Sequence, residues 1–77
     1  MKKAISFGAR LVNARQRRDM NAIQLSKRAK IDATQISNFE RDRREPSANN
    51  IRKLAQALDI TADYLLGLSD DTRRITQ

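Results

Sequence analysis

Residues 21–40 read NAIQLSKRAKIDATQISNFE, from Asn21 to Glu40, and the same local pattern occurs twice within them. Met20-Asn21 precedes a segment whose third residue is Gln24 and fourth Leu25, and Ile31-Asp32 precedes one whose third is Gln35 and fourth Ile36. Each is a capping box with a hydrophobic staple. The Asn or Asp side chain takes an orphan backbone N–H at the helix start, the Gln reaches back to the cap's own N–H, and the flanking apolar pair fixes the entry angle. The two starts, Asn21 and Asp32, lie so close in sequence that they predict two short helices joined by a tight turn.

Outward from this stretch, apolar residues recur at helical spacing almost everywhere, and only one Pro and two Gly interrupt the 77 residues. The expected fold is all-α, with five helices. The first covers about 6–19 with Phe7, Leu11 and Ala14 inward; the second covers 22–29 and buries Leu25 and Ala29. The third covers 33–42 and buries Ile36 and Phe39; Pro46-Ser47 then announces a fourth over 48–58, with Ile51, Leu54, Ala55 and Leu58 inward. Thr61 caps a short fifth helix, with Ile60 stapled onto Leu65 and Gly67 as its C-terminal stop. Residues 1–68 form one domain containing a two-helix unit at about 21–42, and the polar residues 69–77 read as a tail or the start of a linker.

A domain of this size buries only about 60% of its unfolded surface and has little room for an enclosed active site. Histidine and cysteine are absent. That removes disulfides, thiol nucleophiles, the usual zinc ligands and the commonest general base, so no enzyme activity, metal or cofactor is expected. Met1-Lys2-Lys3 opens like a signal peptide, but Arg10, Asn13 and Arg15 follow before any long apolar run. Nothing approaches the ~20 apolar residues of a membrane span, so the expected location is the cytoplasm.

The net charge of +7 is unevenly distributed: residues 1–30 carry +8, residues 31–52 balance, and residues 53–77 carry −1. A basic chain of pI near 10.9 is drawn to polyanions, nucleic acid or an anionic membrane; a merely solvated surface is the plainer alternative.

On a helical wheel, Thr34, Asn38 and Arg41 lie opposite Ile36 and Phe39, with Ala33 beside Thr34 at the leading end. Asn can bond bidentately to an adenine edge, and a Thr or Ala methyl can meet a thymine methyl. Ala33, Thr34 and Asn38 are therefore candidate base readers for an A·T-containing site, with Gln35 and Ser37 as further candidates. Gln35 serves equally well as a cap residue, and Ser37 lies to the side of the stripe. The expected phosphate contacts are Asn21 at a helix N-terminus and the cations Arg17, Arg18, Lys27, Lys30, Arg41, Arg43 and Arg44, about half of them simply solvated. Glu40 leans toward the buried side and needs a partner; Arg15 on the first helix is the expected one.

These residues together resemble the helix-turn-helix domains of the phage lambda and 434 repressors and Cro, the Cro/cI or XRE-type group. The resemblance covers roughly Phe7 to Gly67. It rests on the frame Leu25, Ala29, Ile31, Ile36, on the run Ile36-Ser37-Asn38-Phe39-Glu40, on Arg44-Glu45-Pro46-Ser47, and on Leu54 to Ile60 followed by Tyr64-Leu65-Leu66. It implies a five-helix lambda-repressor-like DNA-binding domain that binds a pseudo-palindromic operator as a homodimer, with the third helix in the major groove. Its base-reading positions fall on Ala33, Thr34 and Asn38, and its buried Arg-Glu pair on Arg15 and Glu40. Two departures stand out. Many members carry Gln just inside the second helix, where this chain has Ala22, leaving Gln24 or Asn21 to substitute. The turn often holds a positive-φ Gly, and here it holds Lys30, at a cost of order 1 kcal/mol.

The implied function is a sequence-specific transcriptional regulator, a repressor in the first instance, with double-stranded DNA and a second copy of itself as partners and no small-molecule ligand. Leu65, Leu66 and Leu68 are candidate dimer contacts; the alternative is that they close the core, and for Leu65 the core role is preferred. A restriction-modification controller or an antitoxin would share the fold. A protein-interaction adaptor belongs to a different class, and the outward Thr34, Asn38 and Arg41 argue against it, since an adaptor surface shows aromatic or aliphatic anchors. Aromatic residues are too few to stack the bases of a single-stranded RNA.

Overall fold

Every helix starts on a side chain that accepts one of its orphan N–H groups. The computed structural model describes residues 5–69 and contains α1 (Phe7–Arg17), α2 (Ala22–Ala29), α3 (Ala33–Glu40), α4 (Ala48–Leu58) and α5 (Ala62–Leu66). Ser6, Asn21, Asp32, Ser47 and Thr61 are the five N-caps. Apart from Ser69, the tail expected over 69–77 lies outside the described residues, as do Met1, Lys2 and Lys3.

The five helices pack as a closed ring: α1 on α3, α3 on α2, α2 on α4, α4 on α5, and α5 back on α1. Its centre is one core that includes Leu11, Leu25, Ile36, Leu54, Leu58 and Leu65, all without exposed surface, and Phe39. Full burial of such a side chain contributes about 1.5–3 kcal/mol, so Ile36 and Phe39 are strong anchors for a helix as short as α3.

Four expectations are corrected. The first helix ends at Arg17 rather than 19, because Asp19 turns left-handed at φ 55°. The third ends at Glu40 rather than 42, because Asp42 does the same at φ 57°. Asp32 accepts the Thr34 N–H at 3.0 Å, one residue earlier than a capping box requires, so Gln35 is not part of that cap. Ile51 is only half-buried; it lines an open groove of about 530 Å³ between α4 and α5 with Ala48, Ala55, Ile60 and Leu66.

Candidate nucleic-acid interface

The first capping box forms as expected. Asn21 Oδ1 accepts the Gln24 N–H at 2.7 Å, and Gln24 Oε1 accepts the Asn21 N–H at 2.8 Å. Both side chains thereby have one oxygen committed to the start of α2. At its other end, Lys30 adopts φ 58° and ψ 44°, and the Ile31 N–H donates to the Ser26 carbonyl at 3.0 Å. The left-handed residue expected at the turn is therefore there, on a lysine. It reverses the chain so that Ile31 enters the core and α3 starts two residues later.

α3 turns Ile36 and Phe39 inward. Ala33, Thr34 and Gln35 are exposed, while Ser37 and Asn38 are half-exposed, so all five candidate readers keep surface on a helix that is anchored from behind. Asn38 sits lower in the packing than the wheel suggests, while Ser37 lies to the side as read.

Arg15 holds this frame together. Its Nε donates to Glu40 Oε2 at 2.7 Å, its Nη2 to Glu40 Oε1 at 3.2 Å, and its Nη1 to the Met20 carbonyl at 3.1 Å. One planar guanidinium thus ties α1 to the end of α3 and to the residue preceding the Asn21 cap. A lysine, with a point charge on a flexible stem, cannot reproduce that fork.

Arg15 apart, two groups of cations stand out. Arg10 lies over the Tyr64 ring, its guanidinium carbon 5.2 Å from the centroid, and donates to the Tyr64 carbonyl at 3.3 Å, locking α1 to α5. Arg18 donates to the Leu58 carbonyl at 2.8 Å and the Asp59 carbonyl at 3.0 Å, satisfying acceptors left over at the end of α4. Two of its guanidinium nitrogens are thereby held on the fold, unlike those of the neighbouring phosphate candidate Arg17. Arg17, Lys27, Lys30, Arg41, Arg43 and Arg44 are exposed at the ends of α1, α2 and α3 and in the connection to α4. Leu65 is wholly buried and cannot touch a partner, which leaves Leu66 and Leu68, 50% and 74% exposed, from the three leucines expected at a dimer contact.

Two residues that carry the geometry of α3 were absent from the sequence reading. A Cβ on Gly8 would lie 2.4 Å from the Glu40 carbonyl oxygen and 2.7 Å from that of Phe39, so only glycine lets α1 approach the end of α3 this closely. The Gly8 N–H also donates to Asp42 Oδ1 at 2.9 Å. The one visible signal was a glycine inside a helical stretch, which costs about 1 kcal/mol against alanine unless close packing requires it.

Two helices joined by a left-handed turn, the second anchored by its rear face and open in front, make a helix-turn-helix unit. The chain belongs to the helix-turn-helix domain family, whose sequence profile matches residues 8–70. It is 31% identical over 70 residues to the HTH-type transcriptional regulator ImmR of Bacillus subtilis (strain 168), covering 91% of this chain and 55% of that protein. The chain therefore spans about half the length of that relative. Among solved structures, the P22 c2 repressor in complex with a synthetic operator is 29% identical, with a TM-score of 0.78 over 84% of this chain and 98% of that one. The restriction-modification controller protein C.AhdI from Aeromonas hydrophila is 36% identical, with a TM-score of 0.74 over 77% and 89%.

Proposed function

We propose that this domain binds double-stranded DNA sequence-specifically as a homodimer and represses transcription from the promoter it covers. The observation that carries this reading is α3 itself, with five partly or fully exposed small or polar side chains in front and Ile36, Phe39 and the Arg15–Glu40 pair fixing it behind. Thr34, Asn38 and Ala33 read base edges, with Gln35 and Ser37 beside them. Arg17, Lys27, Lys30, Arg41, Arg43, Arg44 and the N-terminus of α2 at Asn21 meet phosphates and set the register. The second copy docks along α5, where Leu66 edges the groove against α4 and Leu68 follows it. A DNA ligand places this work in the cytoplasm, where no enzymatic step is needed. The likeness to P22 c2, a repressor solved with an operator, supports repression, and the likeness to the transcriptional regulator ImmR supports control of transcription. A second reading, a restriction-modification controller, is favoured by the likeness to C.AhdI.

The test is selection of bound sequences from a random duplex pool at two salt concentrations. An enriched palindrome with half-sites about 10 base pairs apart is expected. Salt-sensitive binding without enrichment would reduce α3 to a backbone binder, and no binding would move a protein-docking role to the front.

A further inference from the structure

The connection that leaves α3 runs Arg41-Asp42-Arg43-Arg44, one carboxylate among three exposed arginines. Asp42 holds φ 57°, a left-handed conformation that is uncommon outside glycine and easier for Asp than for most side chains. That twist lets the Asp42 N–H donate to the Phe39 carbonyl at 3.1 Å and the Arg43 N–H donate to the Asn38 carbonyl at 2.9 Å. The Asp42 side chain turns back onto the protein, where Oδ1 accepts the Gly8 N–H. α1 has no acidic residue in its own first turn. Asp42 supplies one from 34 residues away, at the end of the helix where the macrodipole favours negative charge.

We propose that Asp42 is a positioning residue for DNA binding: its bond to Gly8 fixes the α3–α4 connection so that Arg41, Arg43 and Arg44 are aimed at the phosphate backbone. The inference rests on the DNA-binding reading above and adds to it a residue that itself touches no DNA. It explains an otherwise unfavourable choice, because a negative charge beside three phosphate-binding arginines opposes the ligand. The carboxylate is tolerated there for its tie to α1. The same turn bonds Arg43 to the backbone of Asn38, so the register of the arginines and the height of a base reader are set together.

Two neutral replacements separate positioning from charge. Asp42→Asn keeps a side-chain oxygen for Gly8 and tolerates the left-handed backbone; Asp42→Gly keeps the backbone and removes the oxygen. If Asp42 acts only through its charge, both variants bind DNA more tightly than the wild type and to the same degree. On the proposal, Asp42→Asn keeps the wild-type salt dependence. Asp42→Gly binds less tightly than Asp42→Asn, with a slope of log affinity against log salt shallower by about one for each arginine that loses its phosphate. These measurements are made well below the melting temperature of each variant. Amide hydrogen exchange in the DNA-free domain gives an independent reading: protection at Gly8 and Arg43 falls in Asp42→Gly and is kept in Asp42→Asn. Equal slopes and equal protection in the two variants overturn the proposal. If the wild type itself binds no duplex, it is the DNA reading that fails, and equal Arg43 protection in both variants then overturns the positioning as well.

Discussion

Arg15 and Glu40 join α1 to the last turn of α3 through two side-by-side N–H···O bonds, at 2.7 and 3.2 Å. Their side chains are 15% and 13% exposed, so the pair lies at the margin of the interior. Removing one partner of a fully buried pair costs about 3–5 kcal/mol; residual solvent at this pair lowers the expectation to about 2 kcal/mol. Glu40→Ala should therefore lower the melting temperature by roughly 10 °C. Arg15→Met combined with Glu40→Leu should recover much of the loss, because neither charge is then stranded. A loss under about 0.5 kcal/mol in a thermal melt would place the pair with ordinary surface bridges.

Gly8→Ala should be among the most damaging single-methyl additions in the domain. The new Cβ meets backbone carbonyls of Phe39 and Glu40, which cannot swing aside as a flexible side chain would. Overpacking of this kind costs about 1–3 kcal/mol, more than the helix propensity of alanine returns. A urea midpoint at or above the wild-type value would contradict the close approach.

Asn38→Ala should relax preference at one base pair, at a cost of about 1–3 kcal/mol on the selected site and much less on random duplex. Equal weakening on both would remove Asn38 from the readers and leave it a packing residue, in keeping with its half-buried position.

Arg17 and Arg18 are neighbours in sequence with opposite expected behaviour. Arg17→Ala should weaken binding to all sequences alike and lower the salt slope by about one, while leaving stability nearly unchanged. Arg18→Ala should cost about 1 kcal/mol of stability through its lost bonds to Leu58 and Asp59, with the salt slope nearly intact. A paired titration of both variants over roughly 50 to 200 mM salt, together with their melts, tests this directly.

These contrasts mark what a sequence can disclose. Asn21 and Gln24 are close neighbours in the chain, so their capping box is local chemistry, and it forms as read. The Arg15–Glu40 pair spans 25 residues but was legible because a carboxylate leaning inward demands a cation. Arg18 carries the same charge as Arg17, and only the tertiary approach of α4's last carbonyls separates the two. The pairing of Gly8 with Asp42 was hidden for the same reason, since their contact arises when α1 docks on the end of α3; the glycine inside a helical stretch showed only that something packs close. Asp32 shows the limit of a pattern that looks local: both Thr34 and Gln35 offer a nearby N–H, and backbone angles choose between them.

α3 gives the core only Ile36 and Phe39, while its ends are secured by Asp32 in front and by Asp42 and Glu40 behind. The exposed side chains of Ala33, Thr34 and Gln35 answer to the surroundings rather than to the core. On the proposed function, the domain is then a holder with an exchangeable reading head: the exposed Ala33, Thr34 and Gln35 can be rewritten while the melting curve stays nearly where it was, whereas the half-buried Ser37 and Asn38 are also held by the packing. Retargeting and folding are then largely separate problems at those three exposed sites, and a library randomised there would sample new addresses with few unfolded chains.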